Sequence, residues 1–248
     1  MHCPAIVNPI AGMGGRVGLK GTDGTDILKR AVELGARPEA FSKSIEALKM
    51  LLPVKNNLEI LTYSGDMGET QAKDLGFETT VIGRPHAESD QSATDSGYEP
   101  DTKSSSEADS QPGTGPLPFA VQTTFLDTEN AASRMALTGV GLILFAGGDG
   151  TARNVYNAVK DKVPVLGIPA GVKIHSPVYA TNPRNAGELA YKFVTGQVTS
   201  FREAEVMDID EDAFREGRVS PKLYGFLLVP HEERLMQNLK SVSVESQA

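Results

Sequence analysis

Five short apolar runs, separated by helical patterns and glycine-bearing turns, set the tightest limit on how this chain can fold. They are AIVNP (5–9), LEILTY (58–63), FETTVI (77–82), LILFA (142–146) and PVLGI (164–168). Such runs, alternating with helical stretches, mark an α/β domain built on an open, mostly parallel sheet. A helix is predicted between Glu39 and Leu52, with Phe41, Ile45, Leu48 and Leu52 on one face at spacings of three and four. Another opens at Asn182-Pro183, carries Ala186, Leu189, Ala190, Phe193 and Val194 on one stripe, and stops at Gly196. Both read as elements that pack on the sheet.

Beyond Phe201 the pattern changes to two β-like runs, REAEVMDI and KLYGFLLVP, joined by a charged segment. The 48 residues from 201 to 248 fall short of the roughly 100 needed for an independent sandwich. We therefore expect an α/β nucleotide-binding domain over 1–200 and a short, incomplete β-rich region over 201–248. Residues 84–116 contain no Val, Ile, Leu, Met or Phe. Burial cannot offset the entropy of ordering such a segment, so a disordered acidic insert is expected there. Its seven acids and two bases supply −5 of the chain's net charge of −8, which leaves the remainder near neutral.

Composition removes several classes of function. The single Cys3 excludes an internal disulfide, and His2, His86, His175 and His231 show no metal-ligand spacing. An acidic chain lacks the basic footprint of a nucleic-acid surface, although a local nest of N–H groups can still hold a nucleotide. No apolar run reaches 18 residues and the start lacks the pattern of a signal peptide, so a cytoplasmic protein without a membrane partner is expected.

Three glycine-bearing turns follow strands, and in open parallel sheets ligands sit at the carboxyl ends of the strands. The first runs from Asn8 to Gly24 and includes Gly12, Gly14, Gly15, Gly18 and Gly21, with Arg16 and Lys20 as charges that either neutralise phosphate or are simply solvated. The second is SGDMGE (64–69), where Asp66 stands at the cleft or near a helix start. The third is GGDGT, Gly147 to Thr151. None matches G-x-x-x-x-G-K-[ST] or G-x-G-x-x-G, so Walker-type and Rossmann dinucleotide sites are disfavoured. Two readings of GGDGT stand at this point. In one, Asp149 is a local cap in a tight strand-to-helix turn. In the other, flanking glycines leave room for a substrate, and the carboxylate orients a hydroxyl and accepts its proton or holds Mg²⁺, while helix N–H groups bind phosphate oxygens.

The stretch GGDGT after an apolar strand resembles the signature shared by NAD kinases and the diacylglycerol and sphingosine lipid kinases. With IVNPIAGMGGRVGLKGTDG and GIPAGVKIHSPVYATNP, the chain is similar to the ATP-NAD kinase family, and most of all to its branch that includes the acetoin-catabolism protein X. That resemblance implies transfer of the γ-phosphoryl of ATP, with Mg²⁺, to the 2′-hydroxyl of NAD to give NADP. It places Asp149 as the catalytic carboxylate. Asn8, Gly12, Gly14, Gly15, Gly147, Gly148, Gly150, Thr151, Gly167, Gly171 and Lys173 become nucleotide contacts. Glu205, in EAEVMDI, matches the acid of an Asn-Glu pair that grips the ribose, with Ala204 in place of the asparagine. Asn154 stands where the branch carries aspartate. The resemblance also implies a homo-oligomer and a fuller second domain than 201–248 provides. A family kinase for another small alcohol and a non-catalytic nucleotide-binding protein are the competing readings.

Two further features stay open from sequence. His175 serves as an acid or base, or as a hydrogen-bonded structural histidine, since no carboxylate partner is identifiable. Asp208, Asp210, Glu211 and Asp212 form either a Mg²⁺ site or, more simply, a charged turn between strands.

Overall fold

The computed structural model describes residues 1–19, 25–85, 123–172, 174–209 and 221–237. Most of the 84–116 insert, Lys20, Gly21, Gly24, His86, Lys173, Asp210, Glu211 and Asp212 therefore lie outside the described residues.

Five strands, β1 (His2–Val7), β2 (Glu59–Tyr63), β3 (Glu78–Gly83), β4 (Ile143–Gly147) and β5 (Val165–Pro169), form one sheet in the order β3-β2-β1-β4-β5. Every neighbouring pair is parallel, with Ala5 opposite Leu144 and Leu144 opposite Leu166 in the centre. All five residues of β4 are buried, and so are five of the six in β1. Consecutive burial of this kind means that both faces of the sheet are covered. On β3 no residue is fully buried, as befits an edge strand. The α/β class with a mostly parallel sheet is thus what the chain adopts, and each strand falls within a few residues of its apolar run.

The helices cover the sheet in two groups. Helix α3 (Ala40–Leu48) packs on α7 (Pro183–Val194), and α5 (Phe125–Leu137) packs on α6 (Asp149–Val159). Helix α7 follows its sequence signals closely. The Asn182 side chain accepts a hydrogen bond from Asn185 N–H at 2.8 Å, and beyond the helix Gly196 takes the left-handed φ of 74°. Helix α3 departs from expectation. Its buried residues are Ala40, Ser44, Ala47 and Leu48, while Phe41 and Ile45 are half-buried and Leu52 is 40% exposed. Two causes act together. A Cβ at Gly187 of α7 would lie 2.1 Å from the Ala47 carbonyl oxygen, so the helices meet on their small-residue sides. The helix then tightens into a 3₁₀ segment, Lys49–Asn57, whose three-residue turn carries the apolar stripe to Leu51.

Three further helices lie outside this frame. The first-turn segment forms α1 (Met13–Arg16), which with α2 (Thr25–Glu33) closes a small cluster of Ile10, Met13, Leu28, Ala31 and Ala36. After β2 a 3₁₀ turn, Gly65–Met67, leads into α4 (Glu69–Asp74).

At the C-terminal end β6 (Phe201–Ile209) and β7 (Pro221–Pro230) pair antiparallel. This is the small β-rich addition foreseen from residue 201. An isolated two-stranded hairpin is marginally stable at best. Here Ala204, Val206, Leu227 and Val229 are buried in the same apolar core as the parallel sheet, and β6 packs along α6.

Candidate active site

From its centre the chain winds β1, β2, β3 to one side and β4, β5 to the other, so the sheet's topological switch lies between β1 and β4. Crevices at the carboxyl ends of such strands are where open α/β sheets bind ligands. The turns after β1, β4 and β5 converge there.

The turns are joined backbone to backbone. Asn8 N–H donates to the Ala146 carbonyl at 3.0 Å, and the Gly147 carbonyl accepts from the N–H groups of Ala170 and Gly171 at 2.9 and 3.1 Å. The Asn8 side chain links the first turn to α6, since its Oδ1 accepts from Ile10 N–H at 3.2 Å and its Nδ2 donates to Thr151 Oγ1 at 3.0 Å. Gly12, at φ 77°, lies so close to the turn after β5 that a Cβ there would stand 2.6 Å from the Ala170 carbonyl oxygen. A Cβ on Gly171 would come to 2.9 Å from Gly148 Cα. The glycines at Gly12, Gly148 and Gly171 therefore let three turns close on one another. The room expected beside Gly148 is taken by Gly171, whereas a Cβ on Gly150 would meet only Asp208, in ordinary contact at 4.0 Å.

Asp149 begins α6 and is 8% exposed. A carboxylate in the first turn of a helix is favoured by the helix dipole, yet it does not cap its own helix. Gly148 is the N-cap and no side-chain cap bond forms, which removes the local-cap reading. The carboxylate turns instead to the segment after β5. Its Oδ1 accepts from Ser176 N–H at 3.1 Å, and its Oδ2 accepts from His175 N–H at 2.8 Å and meets His175 Nδ1 at 3.0 Å. The carboxylate partner that sequence could not supply for His175 is Asp149 itself.

Ser176 passes the constraint on to the hairpin. Its hydroxyl donates to the Met207 carbonyl and accepts from Met207 N–H, both at 2.9 Å. Tyr179 braces the turn from below, donating its hydroxyl to the Gly148 carbonyl at 2.6 Å. Burial pushes the Tyr179 phenol well above its ordinary pKa, and the negative charges of Asp149 and Asp208 add to the effect. Tyr179 is therefore a permanent donor at neutral pH. Its ring fills the space where Gly167 would carry a Cβ, at 2.3 Å, so the glycine in β5 makes room for the ring.

The other candidates are spread around this centre. Gly14 and Gly15 lie in α1, with Gly15 against Val172, and Arg16 ends that helix. Glu205 stands half-buried on β6 opposite Phe226, and no described hydrogen bond or ion pair links it to Asp149. Asp66 lies in the 3₁₀ turn after β2, its carbonyl accepting from Gln71 Nε2 at 2.8 Å. Asn154 is buried on α6. Asp208 is not in a turn: it lies on β6 and pairs with Arg153 of α6, Nη1 to Oδ2 at 2.9 Å. The Arg153 guanidinium also sits 5.4 Å from the Tyr224 ring centroid, within cation–π range. Ser176, Tyr179 and Arg153 were missed by sequence reasoning. The available signal was the polar triplet His175, Ser176 and Tyr179 within an otherwise apolar stretch after the turn that follows β5.

Among the described residues no three His, Cys, Asp or Glu side chains group as metal ligands. Asp149 is engaged by N–H donors and Asp208 by a guanidinium. These residues do not form a protein cage for Mg²⁺.

No described helix is long and apolar enough to cross a membrane. Comparison with curated proteins and with solved structures gives no match. The family model of the ATP-NAD kinase N-terminal domain matches residues 6–198, a span that holds the five-stranded sheet from within β1 onward, the three turns and Asp149. The chain therefore belongs to the ATP-NAD kinase N-terminal domain family, with a kinase-type phosphotransferase domain.

Proposed function

We propose that this protein transfers the γ-phosphoryl group of ATP to the 2′-hydroxyl of the adenosine ribose of NAD, giving NADP. The observation that carries this reading is the placement of a buried, ionisable Asp149 at the sheet's switch point, at the start of α6, where three glycine turns meet. Phosphoryl transfer asks a protein mainly to position two substrates in line and to stabilise charge, with little covalent chemistry of its own. A rigid junction of turns supplies the positioning. The helix N-terminus favours phosphate oxygens, and the Asp149 centre draws the proton of the acceptor hydroxyl. Mg²⁺ bound to ATP supplies neutralisation of phosphate charge.

The network around Asp149 supports a chemical role over a purely structural one. Its carboxylate takes N–H groups from residues 26 and 27 positions away in sequence, and Ser176, in that network, is tied to the hairpin through Met207. Such anchoring from both sides fixes a carboxylate to within the tolerance catalysis requires. The test is NADP formation by the purified chain from NAD, ATP and Mg²⁺, read through an NADP-specific dehydrogenase. NADP produced in proportion to protein supports the reading. ATP bound without turnover of NAD would overturn it in favour of a binding protein, and ATP consumed with another alcohol in favour of a different acceptor.

A further inference from the structure

We propose that Tyr179 is a positioning residue for the transfer: its hydroxyl fixes the Gly148–Asp149 peptide, and with it the backbone from which the Asp149 carboxylate reaches the acceptor hydroxyl. This deepens, and rests on, the kinase reading above, and it leaves the proton-drawing role with Asp149. The peptide needs a pin. Gly148 has no side chain where Gly171 approaches, a Cβ there standing 3.3 Å from Gly171 Cα, and a residue without Cβ leaves its backbone the freest to rotate. The Tyr179 hydroxyl donates to the Gly148 carbonyl at 2.6 Å, and the same oxygen accepts Ala152 N–H at 3.0 Å, so both of its lone pairs are used. Among the described residues every peptide bond is trans, and a planar trans peptide puts C=O and N–H on opposite sides. With the carbonyl drawn onto a fully buried phenol, the Asp149 N–H is held on the side away from the core, among the first-turn donors that a helix leaves without intrahelical partners.

The post that carries this hydroxyl is itself fixed. The Tyr179 ring meets Phe145 edge-on, with 5.2 Å between centroids, and occupies the space that Gly167 leaves. Its main chain is bound on two sides. Gly167 of β5 donates its N–H to the Val178 carbonyl and accepts Ala180 N–H, both at 3.0 Å, while the Tyr179 carbonyl accepts Gln237 N–H at 2.8 Å. The same segment, 175–179, supplies the Ser176 N–H that holds Asp149 Oδ1 at 3.1 Å. It therefore grips Asp149 at the carboxylate and at the peptide that leads into it, and fixes one relative to the other. Errors of orientation at a reacting centre cost more in the transition state than in the bound ground state, so this grip bears on the rate of transfer.

Tyr179→Phe removes the donor and keeps the ring, and Ala152 N–H still satisfies the Gly148 carbonyl. The variant should fold, with a melting temperature lower by about 2–4 °C. We expect its kcat to fall by about 10-fold while the KM values for ATP and NAD stay at the wild-type level. A brace that served only the fold would lower the melting temperature without separating kcat from KM. The amide ¹⁵N resonance of Asp149 gives a readout without turnover. A hydrogen bond to the carbonyl polarises its peptide, so this nitrogen should shift upfield in Tyr179→Phe while the amides in the last turn of α6 stay in place. An active wild type whose folded variant keeps its kcat, or an Asp149 resonance that does not move, overturns the role of Tyr179 and leaves the kinase reading standing. A kcat that falls only in step with the loss of folded protein does the same. A wild type that forms no NADP sinks the kinase reading and the positioning role together.

Discussion

Replacing Gly12 with alanine tests the claim that the turns after β1 and β5 are locked together at the site. Two separate costs are expected. At φ 77° any L residue is strained, by about 1–2 kcal/mol. The added Cβ would also stand 2.6 Å from the Ala170 carbonyl oxygen, and because that atom is backbone it cannot swing aside as a side chain could. Overpacking of this kind costs about 1–3 kcal/mol, for a total of about 2–5 kcal/mol. Gly196 provides the control. Its φ is 74°, almost the same, but nothing lies within 4 Å of a Cβ built there. Gly196→Ala should therefore show only the strain, about 1–2 kcal/mol. Urea unfolding of the three proteins measures the difference, with an unchanged m-value showing that the denatured state is not the cause. ATP binding should weaken in Gly12→Ala and stay at the wild-type level in Gly196→Ala. Equal destabilisation of the two variants, with ATP binding intact in both, would refute the reasoning, since it would mean that the contact with Ala170 carries no energy.

Two further predictions concern titrating groups away from the centre. The Lys73 hydrogen bond holds the Glu69 carboxyl below the usual carboxylate range, and the Gly65 N–H, at 2.9 Å, adds to that. A lowered folded-state pKa means that this contribution to stability is present above the unfolded carboxylate's pKa and is lost as pH falls through the folded value. Stability of Glu69→Gln should consequently fall less steeply between neutral and acid pH than that of the wild type; parallel pH–stability curves would contradict this. Burial pushes the Cys3 thiol up to about 12. As the chain's one cysteine, it should resist a thiol reagent at pH 8 until the protein is unfolded, and labelling of the native protein at the unfolded rate would show that β1 is not where we place it.

What could be read in advance followed from local signals. Parallel strands buried on both faces are continuous apolar runs, so the buried strands were visible, the edge strand β3 showed as a β-branched run, and Asn182-Pro183 with Gly196 bracketed α7. Residues whose meaning depends on a distant partner were less legible. The strand order that brings the first and third turns together is a property of chain winding, and no local pattern encodes it. Helix α3 turned its small residues inward because Gly187, 140 positions beyond Ala47, allows close approach; periodicity favoured the larger apolar side chains. GGDGT stood out as a motif, but the partners of Asp149 lie on the far side of β5. Even the glycines carried a double meaning. Their place after strands pointed to a surface where backbone approaches a ligand, and the structure shows that Gly12, Gly148 and Gly171 also allow turn-to-turn packing while Gly167 makes way for Tyr179. Asp208 was read together with its acidic neighbours as part of a charged run, whereas its place on β6 opposite Arg153 gives it a defined electrostatic partner.

The central claim is that the Asp149 carboxylate is the chemical centre of a phosphoryl-transfer site. Its most direct test is the rate at which Asp149→Asn moves the γ-phosphoryl of ATP to NAD, measured beside the wild type on protein shown to be folded and to bind ATP. The carboxylate accepts from two backbone N–H groups and meets His175 Nδ1, and an amide can satisfy only part of that set, so a modest loss of stability, about 1–3 kcal/mol, should accompany the change. The account predicts transfer slowed by about 10²- to 10⁴-fold with ATP still bound. Transfer at the wild-type rate by the folded variant would remove Asp149 from the chemistry and contradict the account.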